Sequence, residues 1–171
     1  MASAITNSTL ESSAYENIFS MLDDRDIISD PRDTSGTSHR KFIYDSDPLM
    51  KGLNFGDFPY IVAELPLIEY SKVSVDGKTK DIKWTVSLTV RTARDGANQR
   101  VASTGRTDIL SIGDELNELF NSTTHRQTLA DNRIYFTVLT KDNTSTPVID
   151  EKYLYQSDYT LTFMERIQVS T

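Results

Sequence analysis

From Ile82 to Val90 the chain alternates without a break. Ile82, Trp84, Val86, Leu88 and Val90 fall on one side, and Lys83, Thr85, Ser87 and Thr89 on the other. Side chains of a strand point to opposite faces with period two, so this stretch predicts a strand with one buried face and one wetted face. Trp84 is the only tryptophan, and its position mid-strand predicts a core anchor. The elements around it predict a small α+β building block of a larger assembly, with no catalytic machinery in view.

At 171 residues the expectation is one domain spanning 1–171, large enough to bury a core. A hydrophobic content of 37% with 25% charged residues is that of an ordinary globular protein and not of a disordered one. The net charge of −7 argues against a general nucleic-acid-binding surface, because it repels a phosphate backbone. There are no cysteines, which excludes disulfides, thiolate metal sites and a cysteine nucleophile. The first residues, MASAITNSTLESS, carry neither a basic nor an apolar leader region, and no apolar run approaches the ~20 residues that span a bilayer. The expectation is a soluble protein made in the cytosol, with no membrane partner. The Asn-x-Ser/Thr sequons at Asn7, Asn121 and Asn143 then read as chance matches.

Ser8 and Glu11 form a capping box, and Leu10, Ala14, Ile18 and Leu22 follow at fourfold spacing, which predicts a helix over 9–23. Ser29–Arg40 holds turn formers and no apolar residue, and reads as a flexible loop. A short strand is expected at 41–45 and an irregular packed segment at 47–59. The next strand covers 60–65, ends at Pro66, and continues after a bend over 67–75. Asp76–Gly77 marks a hairpin turn into a long strand over 79–93. Residues 94–106 read as a second polar, glycine-bearing loop. Ile109, Ile112, Leu116, Leu119 and Phe120 predict a helix over 107–121. A loop through His125, a strand over 133–141, a turn over 142–146 and a strand over 153–169 complete the chain. Glu165 interrupts the apolar face of that last strand, which predicts a bulge or an edge position there. The expected fold class is α+β, an antiparallel sheet with a long β-hairpin and two helices packed on one face.

Motifs for chemistry are weak. Gly77–Lys78–Thr79 resembles the end of a phosphate-binding loop, but position 72 is lysine and the segment sits in a hairpin turn. His39 and His125 are the only histidines and fall in polar loops without metal-ligand spacing. No GxSxG elbow occurs. The acids from Asp23 to Asp33 lack calcium-loop spacing, with Ile28 where a turn glycine belongs. No catalytic, cofactor-binding or metal-binding residue is assigned, and the chain is read as a non-enzyme without cofactor. One charge feature stands out. Residues 91–106 hold Arg91, Arg94, Arg100 and Arg106 against the single acid Asp95. A basic stretch on an acidic protein suits contact with acidic surface on a neighbour, so Arg94, Arg100 and Arg106 are the candidate contact residues.

The opening helix SSAYENIFSMLD, the strand FPYIVAELP and the hairpin into IKWTVSLTVRT come in a fixed order with the helix TDILSIGDELNELF and the closing strands RIYFTVLTK and YLYQSDYTLTFMERIQV. That order and length resemble the tail terminator (tail completion, gpU-like) proteins of long-tailed phages and related tailed viruses. The resemblance implies a structural virion protein of the viral tail, assembled in the host cytoplasm. It implies a homo-oligomer, a hexameric ring at the head-proximal end of the tail tube that stops tube polymerisation and offers a head-neck docking surface. The implied partners are the tail tube protein and a head-neck connector protein, with DNA passing through the channel without sequence-specific binding. A head-to-tail contact that closes gives a ring, and one that does not close gives a filament. Two other readings stay open: another tail or neck subunit (a tube or connector protein), and a small-molecule-binding α+β domain.

Overall fold

The computed structural model describes residues 16–23, 28–31, 41–48, 58–72, 79–94, 99–131, 134–149 and 152–168. Two long strands organise the fold. β4 (Thr79–Arg94) and β7 (Lys152–Gln168) pair antiparallel over the whole length of β4. On the far edge of β4 lie β2 (Tyr60–Ala63), opposite residues 88–91, and β3 (Leu67–Lys72), opposite residues 80–85. They are one strand interrupted at 64–66, which is the bend that Pro66 predicts. β1 (Ile43–Tyr44) flanks β2, while β5 (Ile134–Ser145) and the short β6 (Val148–Ile149) flank β7. The seven-stranded sheet runs β1-β2-β4-β7-β5, with β3 and β6 as side branches.

The fold is α+β as expected, with one correction to the sheet: β1 runs parallel to β2. The 15 or so residues between them suffice for the crossover that a parallel pair needs. The Asp76–Gly77 turn lies outside the described residues, although the antiparallel β3–β4 register is that of a hairpin.

The alternation of β4 is realised. Ile82, Trp84, Val86, Leu88 and Val90 are fully buried, each worth roughly 1.5–3 kcal/mol relative to exposure. Trp84 stacks on Phe163 of β7, with ring centroids 5.7 Å apart and planes 3° from parallel. Over this face lies α2 (Gln99–Asn121), contributing Ile109, Ile112, Leu116, Leu119 and Phe120 to the core. The helical residues 16–22, here α1, add Ile18, Met21 and Leu22 to the same cluster. A smaller cluster of Phe58, Tyr60, Val62, Ala93 and Leu154 occupies the opposite face at the β2 end.

Four local expectations are corrected. Residues 99–106, read as loop, are the first two turns of α2. Gly105 misled that reading, because it serves helix-to-strand contact and not a turn. A Cβ there would stand 2.2 Å from the Ala93 carbonyl oxygen, and Thr92 Oγ1 donates to the Gly105 carbonyl at 2.7 Å. The expected turn at 142–146 is strand as far as Ser145, its polar residues absorbed by a register shift between Lys141 and Asn143. α3 (Arg126–Asp131) replaces part of an expected loop, and its single buried residue, Leu129, is too little to show periodicity. Glu165 sits on an interior strand and is buried. The irregularity it foretold lies across the ladder, between Ile134 and Phe136 of β5.

Candidate interaction surfaces

Strand alternation sorts the sheet into two faces. The face away from α2 carries two adjacent rows that cross four strands: Val138, Thr162, Thr85 and Leu67, then Phe136, Met164, Lys83 and Glu69. Leu67, Phe136 and Val138 are 64%, 47% and 39% exposed. The charges in this area are matched at home. Lys83 Nζ lies 3.0 Å from a Glu69 carboxylate oxygen. Arg166 grips Asp81 with both prongs, Nε to Oδ1 at 2.8 Å and Nη2 to Oδ2 at 3.1 Å.

Tyr135, the residue inserted at the β5 irregularity, completes that second group. The Arg166 guanidinium lies 5.3 Å from its ring centroid, and its hydroxyl helps to lower the Asp81 carboxyl. The Arg166 hydrogen bonds hold the Asp81 carboxyl below its usual range, against the opposing effect of burial. Burial, followed by the Asp81 carboxylate, pushes the Tyr135 hydroxyl up.

Toward the β2 end the same face carries a polar group beside the Phe58–Leu154 cluster. Arg91 donates from Nε to Gln156 Oε1 at 2.8 Å, and from Nη1 to Asp47 and to the Tyr60 hydroxyl. Asp158 accepts from Gln156 Nε2 at 2.9 Å and from Thr89 Oγ1 at 3.0 Å. Burial pushes the Tyr60 hydroxyl up to about 12, although Arg91 pulls the other way. Through Arg91 this group ties Asp47 to the sheet.

The two sides of the sheet end differently. On β5 the Leu139 amide donates to Asn121 Oδ1 at 2.8 Å, while Asn121 Nδ2 donates to the Leu139 carbonyl at 2.9 Å. The side-chain amide of one asparagine, at the last position of α2, thus takes both backbone groups that a neighbouring strand would use. Thr137 Oγ1 also donates to the Phe120 carbonyl. On β3 no described strand pairs with the outer edge, and Leu65 and Tyr70 stand 80% and 55% exposed.

Arg94, Arg100 and Arg106 do not share a loop. Arg94 closes β4 opposite Tyr153, and Arg100 and Arg106 belong to α2. The side chains of Arg94 and Arg100 lie outside the described residues, whereas Arg106 is exposed. His39 is likewise outside the described residues, and His125 is half-buried in the turn before α3. Among the described residues no group of three or more His, Cys, Asp or Glu could hold a metal, and no helix is long and apolar enough to cross a membrane.

Among the described residues α2 borders clefts on two sides. One of about 580 Å³ separates α3 from the start of β5 and is lined by Phe120, Arg126, Leu129, Ile134 and Phe136. A smaller one of about 210 Å³ lies between α2 and β5, where Asp114, Asn117, Lys141 and Tyr159 converge. Sequence reasoning missed both the Asn121 contact and this second cleft. Asn121 carried a visible signal only as a sequon, and a side chain that mimics a strand leaves no periodic trace. The chain matches no family model and no curated protein.

Proposed function

We propose that this chain is a structural subunit that works by docking, and that it acts as a tail terminator of the kind its order of elements resembles. The observation that carries the reading is the bare sheet face, where Leu67, Phe136 and Val138 are exposed beside charges already paired within the chain. Burial of the apolar side chains favours docking of such a face, and the ion pairs suit its rim, where they keep their water. In the proposed assembly about six copies contact one another head to tail, close a ring at the end of the tail tube, and present the other rim to a head-neck protein. Arg106, exposed on α2, is positioned for acidic surface on a neighbour, which a chain of net charge −7 supplies in quantity. Arg94 and Arg100 are proposed contacts of the same kind. DNA passes such an acidic ring without being held.

The test is a double substitution on the bare face, Phe136→Lys with Val138→Lys. Both positions are solvent-facing, so circular dichroism and melting temperature should stay near those of the parent. Ring-sized particles in negative-stain electron microscopy should disappear. Rings that persist in a folded double variant would overturn the docking role of this face.

A second reading has one observation in its favour, the convergence of Asp114, Asn117, Lys141 and Tyr159 on the 210 Å³ cleft, which suits a small polar ligand. A metabolite that raised the melting temperature of the parent but not of Lys141→Ala would support it over docking.

A further inference from the structure

Residues 120–137 turn the chain from α2 through α3 into β5, and the corner they make holds the cleft of about 580 Å³. Three elements supply its buried lining: Phe120 from the last turn of α2, Leu129 from α3 and Ile134 from the start of β5. The Leu129 amide donates to the His125 carbonyl at 3.0 Å, which fastens α3 beside the end of α2. Phe136, 47% exposed, adds apolar surface nearer the solvent. Such a volume falls within the ~300–1,000 Å³ of small-molecule sites, whose linings are mostly apolar with a few placed polar groups.

The polar side chains described on this lining are engaged, with one exception. Asn121 uses its amide on the Leu139 backbone and on Asn117 Oδ1. Ser122 Oγ donates to the Glu118 carbonyl and accepts from the Thr124 amide. Thr137 Oγ1 donates to the Phe120 carbonyl, and the Tyr135 ring packs against Arg166. The exception is Arg126. Among the described residues its guanidinium makes no hydrogen bond or ion pair. It is also the one described lining residue that carries a charge at neutral pH.

We propose that this corner binds a small apolar monocarboxylic acid, its hydrocarbon body against Phe120, Leu129 and Ile134 and its carboxylate on Arg126. The apolar body gains by leaving water. The carboxylate suits a planar guanidinium, which offers it two parallel N–H donors. An ammonium end would meet Arg126 as a like charge. A second polar group on the body would find the neighbouring side chains already engaged. The net charge of −7 repels an anion at long range, but physiological salt screens exposed charges beyond ~8 Å, so the cation at the cleft decides. Arg126 is exposed, so its ion pair supplies selectivity while the apolar contact supplies most of the affinity. The inference does not rest on the docking proposal. Arg126 and Ala130, the positions that test it, belong to α3 and not to the sheet.

The test is an amide NMR titration of the whole chain with octanoate, octanol and octylammonium, each kept below the concentration at which it aggregates. Octanoate at millimolar concentration should shift the amides of residues 120–137. It should bind roughly fivefold tighter than octanol, with octylammonium the weakest of the three. In Arg126→Gln the advantage of octanoate should vanish while octanol binding stays as it was. Ala130→Trp sets a large side chain into the cleft from an exposed position, and should weaken octanoate roughly tenfold or more. The amide spectrum of each variant reports in the same experiment that the fold is kept. Absence of shifts with octanoate, or shifts that map to Leu67, Val138 and Met164 instead, would overturn the inference. So would octanol or octylammonium binding as tightly as octanoate, or a preference for octanoate that survives in Arg126→Gln.

Discussion

Gly105 and Gly113 sit on one helix, yet they answer to different neighbours. At Gly105 an added methyl meets the Ala93 backbone oxygen at 2.2 Å, and at Gly113 it meets the far end of Tyr159 at 2.5 Å. Elsewhere in a helix, Gly→Ala gains about 1 kcal/mol from propensity. Gly105→Ala should instead lose roughly 1–3 kcal/mol, because a backbone carbonyl of a central strand cannot step aside. Gly113→Ala should lose less, since a tyrosine hydroxyl can swing. Paired urea titrations measure both, and a stabilising Gly105→Ala would contradict the close approach. Asp81 gives a second expectation at this scale. Its carboxyl is held below the ordinary range by Arg166, so its stabilisation is present above the unfolded value near about 3.9 and is lost as pH falls through the lower folded value. Asp81→Asn should melt below the parent at neutral pH, and the difference should close below roughly pH 4. A difference that is constant with pH would assign the effect to packing and not to charge.

At the scale of elements, much of this fold could be read in advance. Strands declare themselves by alternation, and β4 and β7 lie within a residue or two of their expected bounds. The buried face of α2 was equally legible in Ile109, Ile112, Leu116, Leu119 and Phe120. What escaped was whatever depends on contact between elements. Gly105 has the local signature of a turn and the tertiary role of a contact point. The parallel entry of β1 is set by where the chain returns and not by any residue in it. Asn121 belongs to the same class. It ends α2 and occupies the β5 edge at Leu139, the kind of cover that long edges need. Asn121→Ala leaves the Leu139 amide and carbonyl without this partner, at a cost of about 1–3 kcal/mol. The freed position on β5 can then pair with a strand of another copy, a contact that need not close. The variant should melt lower and scatter light in a concentration-dependent way. Scattering equal to that of the parent would mean that the edge is protected by something other than Asn121.

For the whole molecule the picture among the described residues is a sheet with one face sealed and the other covered at the β2 end and exposed elsewhere. The sealed face holds the larger core, from Ile18 through Trp84 to Phe163. The face away from α2 exposes Leu67, Phe136 and Val138, apolar area that gains from burial. Arg91 and Arg166 are each tied to partners within the chain. That distribution is what the docking proposal rests on. Its most direct test is the native mass of the purified chain across concentration. The docking account predicts a closed species at a whole multiple of about six copies of the 19.3 kDa chain, with no growth beyond it. A 19.3 kDa particle that persists alone at every concentration, or an unbounded ladder of masses, would contradict it.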